Sequence, residues 1–203
     1  NMKKWLSLAL AAIMCLSATA ALAETPAYAE APYITNLGTY GAVADRLPKE
    51  PMVEDAEYLT IGTYGGELKR PAGGGHWDAG KPIEEGLFRF TTTGAVEPNV
   101  AKGYEVSEDA KVYTIYLREG MKWSDGAPFT ADDFVFWYED IATQQDLYSV
   151  LTTGITNVQM WETAQITKRD ETTVVVTFDE SAPSFVTKMQ RAAANDAMWA
   201  PKH

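Results

Sequence analysis

Cysteine is almost missing from this chain and histidine is scarce: Cys15, His76 and His203 are all there is. One cysteine can form no internal disulfide, so the chain is not a disulfide scaffold. Two histidines this far apart provide too few ligands for a zinc site. Neither has a serine or cysteine nucleophile set beside it. No basic run interrupts the sequence, and the formal net charge is −11. Such a chain is repelled by nucleic acid and by anionic lipid headgroups, so no nucleic-acid partner is expected. Gly73-Gly74-Gly75 is followed by no Lys-Ser/Thr pair and no helix start, so these glycines read as a turn and not as a phosphate cradle. Neither a metal nor a cofactor is expected.

What is present begins with a leader. Residues 2–23 carry Lys3 and Lys4, then an apolar run from Trp5, then Ala21-Leu22-Ala23 before Glu24. That is the three-part plan of a secretory signal peptide. Ser7, Ser17 and Thr19 weaken the alternative of a spanning helix, which needs roughly 20 predominantly apolar residues. Cys15 falls in the middle of the apolar run behind Met14, a poor setting for a lipid anchor. Removing the leader removes two lysines and no acid, which leaves a mature charge of about −13 by the same count. Export to the periplasm or the outer face of the cytoplasmic membrane is expected.

Apolar residues make up 46% of the chain, enough for a folded domain with a sizeable core. Residues 24–57 hold Pro26, Pro32, Pro48 and Pro51 and show no hydrophobic period, so they read as a flexible lead-in. Asn36–Gly41 and Thr60–Gly65 look alike, but two short copies make no repeat architecture. The folded part is expected over 58–203. Tyr64–Leu68 reads as entry into its first strand, and Ile83–Phe90 as a short strand or helix end. Pro98–Ala101 reads as a bent or helical segment.

From Val112 the pattern sharpens. Tyr113, Ile115 and Leu117 alternate with Thr114, Tyr116 and Arg118, which predicts a strand with one apolar face. Trp123–Gly126 predicts a turn with Gly126 at positive φ. Thr130 followed by Asp133 is a capping-box pattern, and Phe134, Trp137, Tyr138 and Ile141 follow at helical spacing. Thr172–Phe178 and Gln165–Lys168 flank Arg169-Asp170-Glu171, a β-hairpin pattern. Ser184 is placed to cap a helix through Phe185, Val186, Met189 and Ala193. The chain stops at Ala200-Pro201-Lys202-His203 without a terminal signal, which reads as a cut.

Several motifs then fall in order: Glu85-Gly86-Leu87, Glu97–Ala101, Tyr104–Asp109, Leu117–Gly126, Pro128–Asp133 and Pro201-Lys202-His203. Together they resemble the family 5 extracellular solute-binding proteins, the peptide- and nickel-type receptors that feed ABC importers. The resemblance runs from Tyr64 to His203, with Tyr104 where the family usually has Trp. It implies a mixed α+β or α/β chain, the N-terminal part of a two-lobed periplasmic-binding-protein-like (type II) fold that closes on its ligand. It also implies a peptide or other small-molecule ligand, ABC permease subunits as partners, a monomer, and no catalytic residues. In peptide-binding relatives, main chain near this tripeptide pairs with an extended ligand, so Glu85, Gly86 and Leu87 become the candidate ligand contacts. Trp123, Asp125, Gly126, Thr130 and Asp133 have local turn and cap roles, so the signature itself reads as scaffold.

Two other classes are weighed against this. A secreted hydrolase would need opposed carboxylates, but Asp132/Asp133 and Glu84/Glu85 are adjacent pairs that cannot face one another across a bond. A surface or chaperone-like interaction protein on the same scaffold stays open at this point.

Overall fold

The computed structural model describes residues 31–53, 60, 62–69, 85–144, 164–189 and 198–203. The leader with Cys15, the glycines at 73–75, His76, Glu84 and Ala193 lie outside these residues. Two short helices come first, α1 (Pro32–Leu37) and α2 (Val43–Arg46). A two-stranded antiparallel sheet follows, β1 (Phe88–Phe90) with β2 (Val96–Pro98). The main sheet holds four antiparallel strands in the order β3-β4-β6-β5: β3 (Ala101–Val106), β4 (Val112–Leu117), β5 (Ala164–Asp170) and β6 (Thr173–Phe178). Helix α3 (Ala131–Phe136) runs into a π-helical turn, Trp137–Ala142, and α4 (Phe185–Lys188) is a single turn.

The alternation in β4 sets the sheet. Tyr113, Ile115 and Leu117 are buried, and Val176 and Val174 of β6 lie in register with Tyr113 and Ile115. Ile166 of β5 pairs with Val176 and extends that layer. Helix α3 packs on β5 and β6 and closes the core with Phe134, which is fully buried. Two aromatic clusters bracket it. Tyr113, Phe178 and Phe185 meet at centroid distances of 4.8–6.1 Å. Phe129 meets Trp123 at 5.2 Å and Phe134 at 5.6 Å, and Phe134 meets Trp199 at 5.5 Å. Edge-to-face and tilted geometries of this kind add to the burial of the rings.

The turns are built from side chains that replace missing backbone partners. Between β3 and β4, Ser107 Oγ accepts the amides of Lys111 and Val112 at 3.2 and 2.9 Å. Ala110 sits there at φ +55°, in the left-handed region. Between β5 and β6, Asp170 Oδ1 accepts the Thr172 amide at 2.9 Å. After β4, Gly126 adopts φ +96° and its amide donates to the Trp123 carbonyl at 2.9 Å, the turn read from the sequence.

Two local expectations fail. Tyr64–Leu68 is not a strand: it is irregular and exposed, and Gly65 and Gly66 sit at φ +115° and +87°, where no strand can run. Ser184 makes no side-chain cap; its backbone is already helical at φ −85°, ψ −1°, and not in the extended conformation that a capping residue usually takes. Pro98–Ala101 divides between the end of β2, a bend and the start of β3.

Candidate functional site

The tripeptide Glu85-Gly86-Leu87 leads directly into β1. Leu87 and Gly86 are buried, whereas Glu85 is exposed. The segment is held against residues 99–101. The Leu87 carbonyl accepts the amides of Asn99 at 3.1 Å and Ala101 at 3.0 Å, and the Gly86 carbonyl accepts the Val100 amide at 3.3 Å. Asn99 then clamps the turn with its side chain, donating from Nδ2 to Glu85 Oε2 at 2.7 Å and to the Gly86 carbonyl at 3.0 Å. The sequence marks Asn99 only as part of a motif, because its partner Glu85 lies 14 positions away. A proline-fixed bend followed by a four-bond side-chain amide was the one available signal.

Beside this segment, Arg89 Nε meets Glu97 Oε1 at 2.5 Å, a cross-strand pair in register on β1 and β2. The Leu87 side chain is spent on the core, and the Glu85 carboxylate and the Gly86 and Leu87 carbonyls are engaged by residues 99–101.

The signature residues gather elsewhere, around Asp133. This carboxylate is 3% exposed. Its Oδ2 accepts the Thr130 amide at 2.8 Å and the Trp123 indole N–H at 3.2 Å, and its Oδ1 accepts the Lys202 amide at 3.0 Å. The capping box is therefore complete, and the same carboxylate also pins a turn and a distant segment. Asp132 pairs with Lys168 at 2.6 Å and Lys202 at 3.6 Å. The Lys168 hydrogen bond holds the Asp132 carboxyl below the usual carboxylate range. Asp125 is held low in the same sense, first by the Ala127 amide and then by His203, whose Nε2 lies 2.7 Å from Oδ2. Asp132 and Asp133 thus share Lys202, whose amide serves Asp133 and whose ammonium serves Asp132, and they do not oppose each other across a cleft.

An open groove of about 650 Å³ lies over the start of β3 and the end of β4. Gly103 and Tyr116, opposite each other in the ladder, are among its lining residues, with Lys49, Glu50, Glu105 and Glu119 around them. Among the described residues no group of three or more His, Cys, Asp or Glu is placed to hold a metal ion. No helix among them is long and apolar enough to cross a membrane.

Comparison with known proteins shows what this chain resembles. The periplasmic alpha-galactoside-binding protein of Rhizobium meliloti is 36% identical over 168 residues, 72% of this chain and 24% of that protein. The periplasmic oligopeptide-binding protein OppA of Salmonella typhimurium is 44% identical over 62 residues, 30% of this chain and 11% of that one. Among solved structures, an oligopeptide-binding protein OppA superposes with a TM-score of 0.69 at 32% identity, covering 86% of this chain and 27% of its own. The periplasmic binding protein MelB of Agrobacterium fabrum C58, in complex with stachyose, gives 0.63 at 29% identity, covering 84% and 29%. The chain therefore spans about a quarter of the length of these fuller matches. The helix-and-antiparallel-sheet piece described above is part of a two-lobed periplasmic-binding-protein-like fold. The description "Bacterial extracellular solute-binding proteins, family 5 Middle" matches residues 95–202, more than half of the sequence. This chain belongs to the family 5 bacterial extracellular solute-binding proteins.

Proposed function

We propose that this chain is the N-terminal portion of an exported substrate-binding receptor that hands a solute to the permease subunits of an ABC importer. The receptor binds and releases its ligand without altering it, works as a monomer outside the cytoplasmic membrane, and uses no cofactor. One observation carries the reading. Among the described residues, the signature from Leu117 to Asp133 is taken up by turn, cap and core contacts, as suits the scaffold of a binding lobe. A lobe of that kind suits binding by hinge closure.

The first ligand class is a short peptide. Its main chain would pair beside Glu85, Gly86 and Leu87, with Asn99 holding that segment in place. A second class is favoured by a specific observation: the relative named for alpha-galactosides aligns over 168 residues, against 62 for the oligopeptide-binding protein of Salmonella typhimurium. The domain division is proposed as a leader over 1–23, a lead-in over 24–57 and a partial binding domain over 58–203.

Purification of the full-length receptor under native conditions, followed by mass spectrometry of what it carries, tests both classes. Co-purified short peptides, together with heat release on titration with mixed tripeptides, support the peptide reading. Binding of stachyose with no response to peptides replaces it with the saccharide reading. Turnover of either ligand, in place of its recovery intact, overturns the receptor reading itself.

A further inference from the structure

We propose that residues 45–50 form a salt-sensitive clasp that can lift off the end of the main sheet as a unit while the sheet stays folded. The segment crosses the turn after β4, and its contacts with that end of the sheet among the described residues are ion pairs and hydrogen bonds to single backbone groups. The Lys49 amide donates to the Glu119 carbonyl at 2.9 Å, and the Lys49 ammonium pairs with the Glu119 carboxylate. Glu50 is engaged twice: its carboxylate by Lys102, its carbonyl by Arg118 Nη1 at 2.7 Å. Lys122 Nζ donates to the Asp45 carbonyl at 2.8 Å. Pro48 and Lys49 also approach Gly120, which turns there at φ +81°.

Apolar burial adds little, because Leu47 and Pro48 are only half-buried and Lys49 and Glu50 are exposed. The pair of Lys49 with Glu119 is about two-thirds exposed on both sides. Ion pairs in such positions are weak and are screened by salt. The sheet below rests instead on fully buried Ile115, Val174 and Val176. The two layers are therefore held by forces of different kinds, and local opening draws on the weaker one. Lys49 and Glu50 form one wall of the groove over Gly103 and Tyr116, so release of the clasp unroofs that groove.

Hydrogen exchange read by mass spectrometry on the intact chain tests this. Peptides covering 43–50 are expected to exchange about tenfold faster in roughly 0.5 M salt than in low salt. Peptides covering 112–117 and 173–178 are expected to stay unchanged. The double variant Glu50→Gln with Glu119→Gln should show the fast exchange already in low salt. Three results overturn the proposal: exchange of 43–50 in step with β4, exchange of 43–50 indifferent to salt, or exchange already complete in low salt, which would mean that no clasp is closed.

Discussion

The corner around Asp133 and the segment crossing the turn after β4 use similar numbers of polar contacts to opposite effect. At the corner, one carboxylate that is 3% exposed collects three N–H donors inside a ring of aromatics. At residues 45–50, several charges are spread over exposed side chains, each with water as an alternative partner. Hydrogen bonding in a dry setting is costly to remove, because the orphaned groups stay buried. In a wet setting, removal returns the groups to solvent at little cost. Burial, more than the number of contacts, should decide how much each contact matters.

The largest effect is expected at the apolar side of the corner. Phe134 is fully buried and touches Phe129 and Trp199 through its ring. Phe134→Ala should destabilise by about 4 kcal/mol, as truncation of a buried aromatic generally does. Denaturant unfolding followed by tryptophan fluorescence gives the value. A loss near 1 kcal/mol would mean that the corner is loosely packed and the contrast with the clasp is false.

Next comes the carboxylate itself. Asp133→Ala leaves the Thr130 amide, the Trp123 indole N–H and the Lys202 amide without their acceptor. Leaving buried donors unpaired costs about 1–3 kcal/mol, and the charge-assisted character of these bonds puts the expected loss near the upper end. Asp133→Asn should recover part of the loss, since its carbonyl oxygen can serve Oδ2's two donors. Equal losses for Ala and Asn would show that charge and not hydrogen-bond capacity is what the corner requires.

How much of this could be read in advance depends on how local each cause is. Strand β4, the Gly126 turn and the capping box are legible because the residues that make them lie within a few positions of one another. The Asp133 cap was visible from Thr130, three residues away. Its bonds to Trp123 and to Lys202 were not, the second being 69 positions distant. Asn99 was hidden for the same reason, since its partners are Glu85 and Gly86 on the other side of the β1–β2 hairpin. The expected strand at Tyr64–Leu68 failed because the aromatic and leucine suggested a pleat while two positive-φ glycines forbade it. The π-helical widening at Trp137–Ala142 had no sequence signal. It accompanies the Tyr138 hydroxyl reaching the Ala164 carbonyl on β5, another tertiary contact.

An intermediate case sharpens the comparison. Asp132 is one-third exposed and pairs with Lys168. Its carboxyl is held below the ordinary range by the Lys168 hydrogen bond, so the folded state binds that proton less readily than the unfolded chain does. The stabilisation is therefore complete above the unfolded-state value of about 4 and is lost as pH falls through the lower folded-state value. Asp132→Asn should cost about 0.5 kcal/mol at neutral pH, the scale of a partly exposed pair. The difference between the two proteins should close in acid. A gap that persists in acid strong enough to protonate the carboxyl in the folded as well as the unfolded state would assign the effect to helix capping or packing and remove Asp132 from the electrostatic series.

The smallest effect is expected at the clasp, and it is the most exacting comparison because it calls for a near-zero stability change beside a large local one. Glu119→Gln removes one charge from a pair exposed to about two-thirds, leaving the Lys49 amide bond to the Glu119 carbonyl intact. Global stability should change by less than about 0.5 kcal/mol, within the range of surface ion pairs. Exchange at 43–50 should nonetheless quicken, because that segment opens by a route the core does not share. If Glu119→Gln instead lowered the unfolding midpoint as much as Asp133→Ala does, residues 45–50 would belong to the same cooperative unit as β4. Burial would then have failed to separate the two regions, since the exposed contact would be carrying the load assigned here to the buried one.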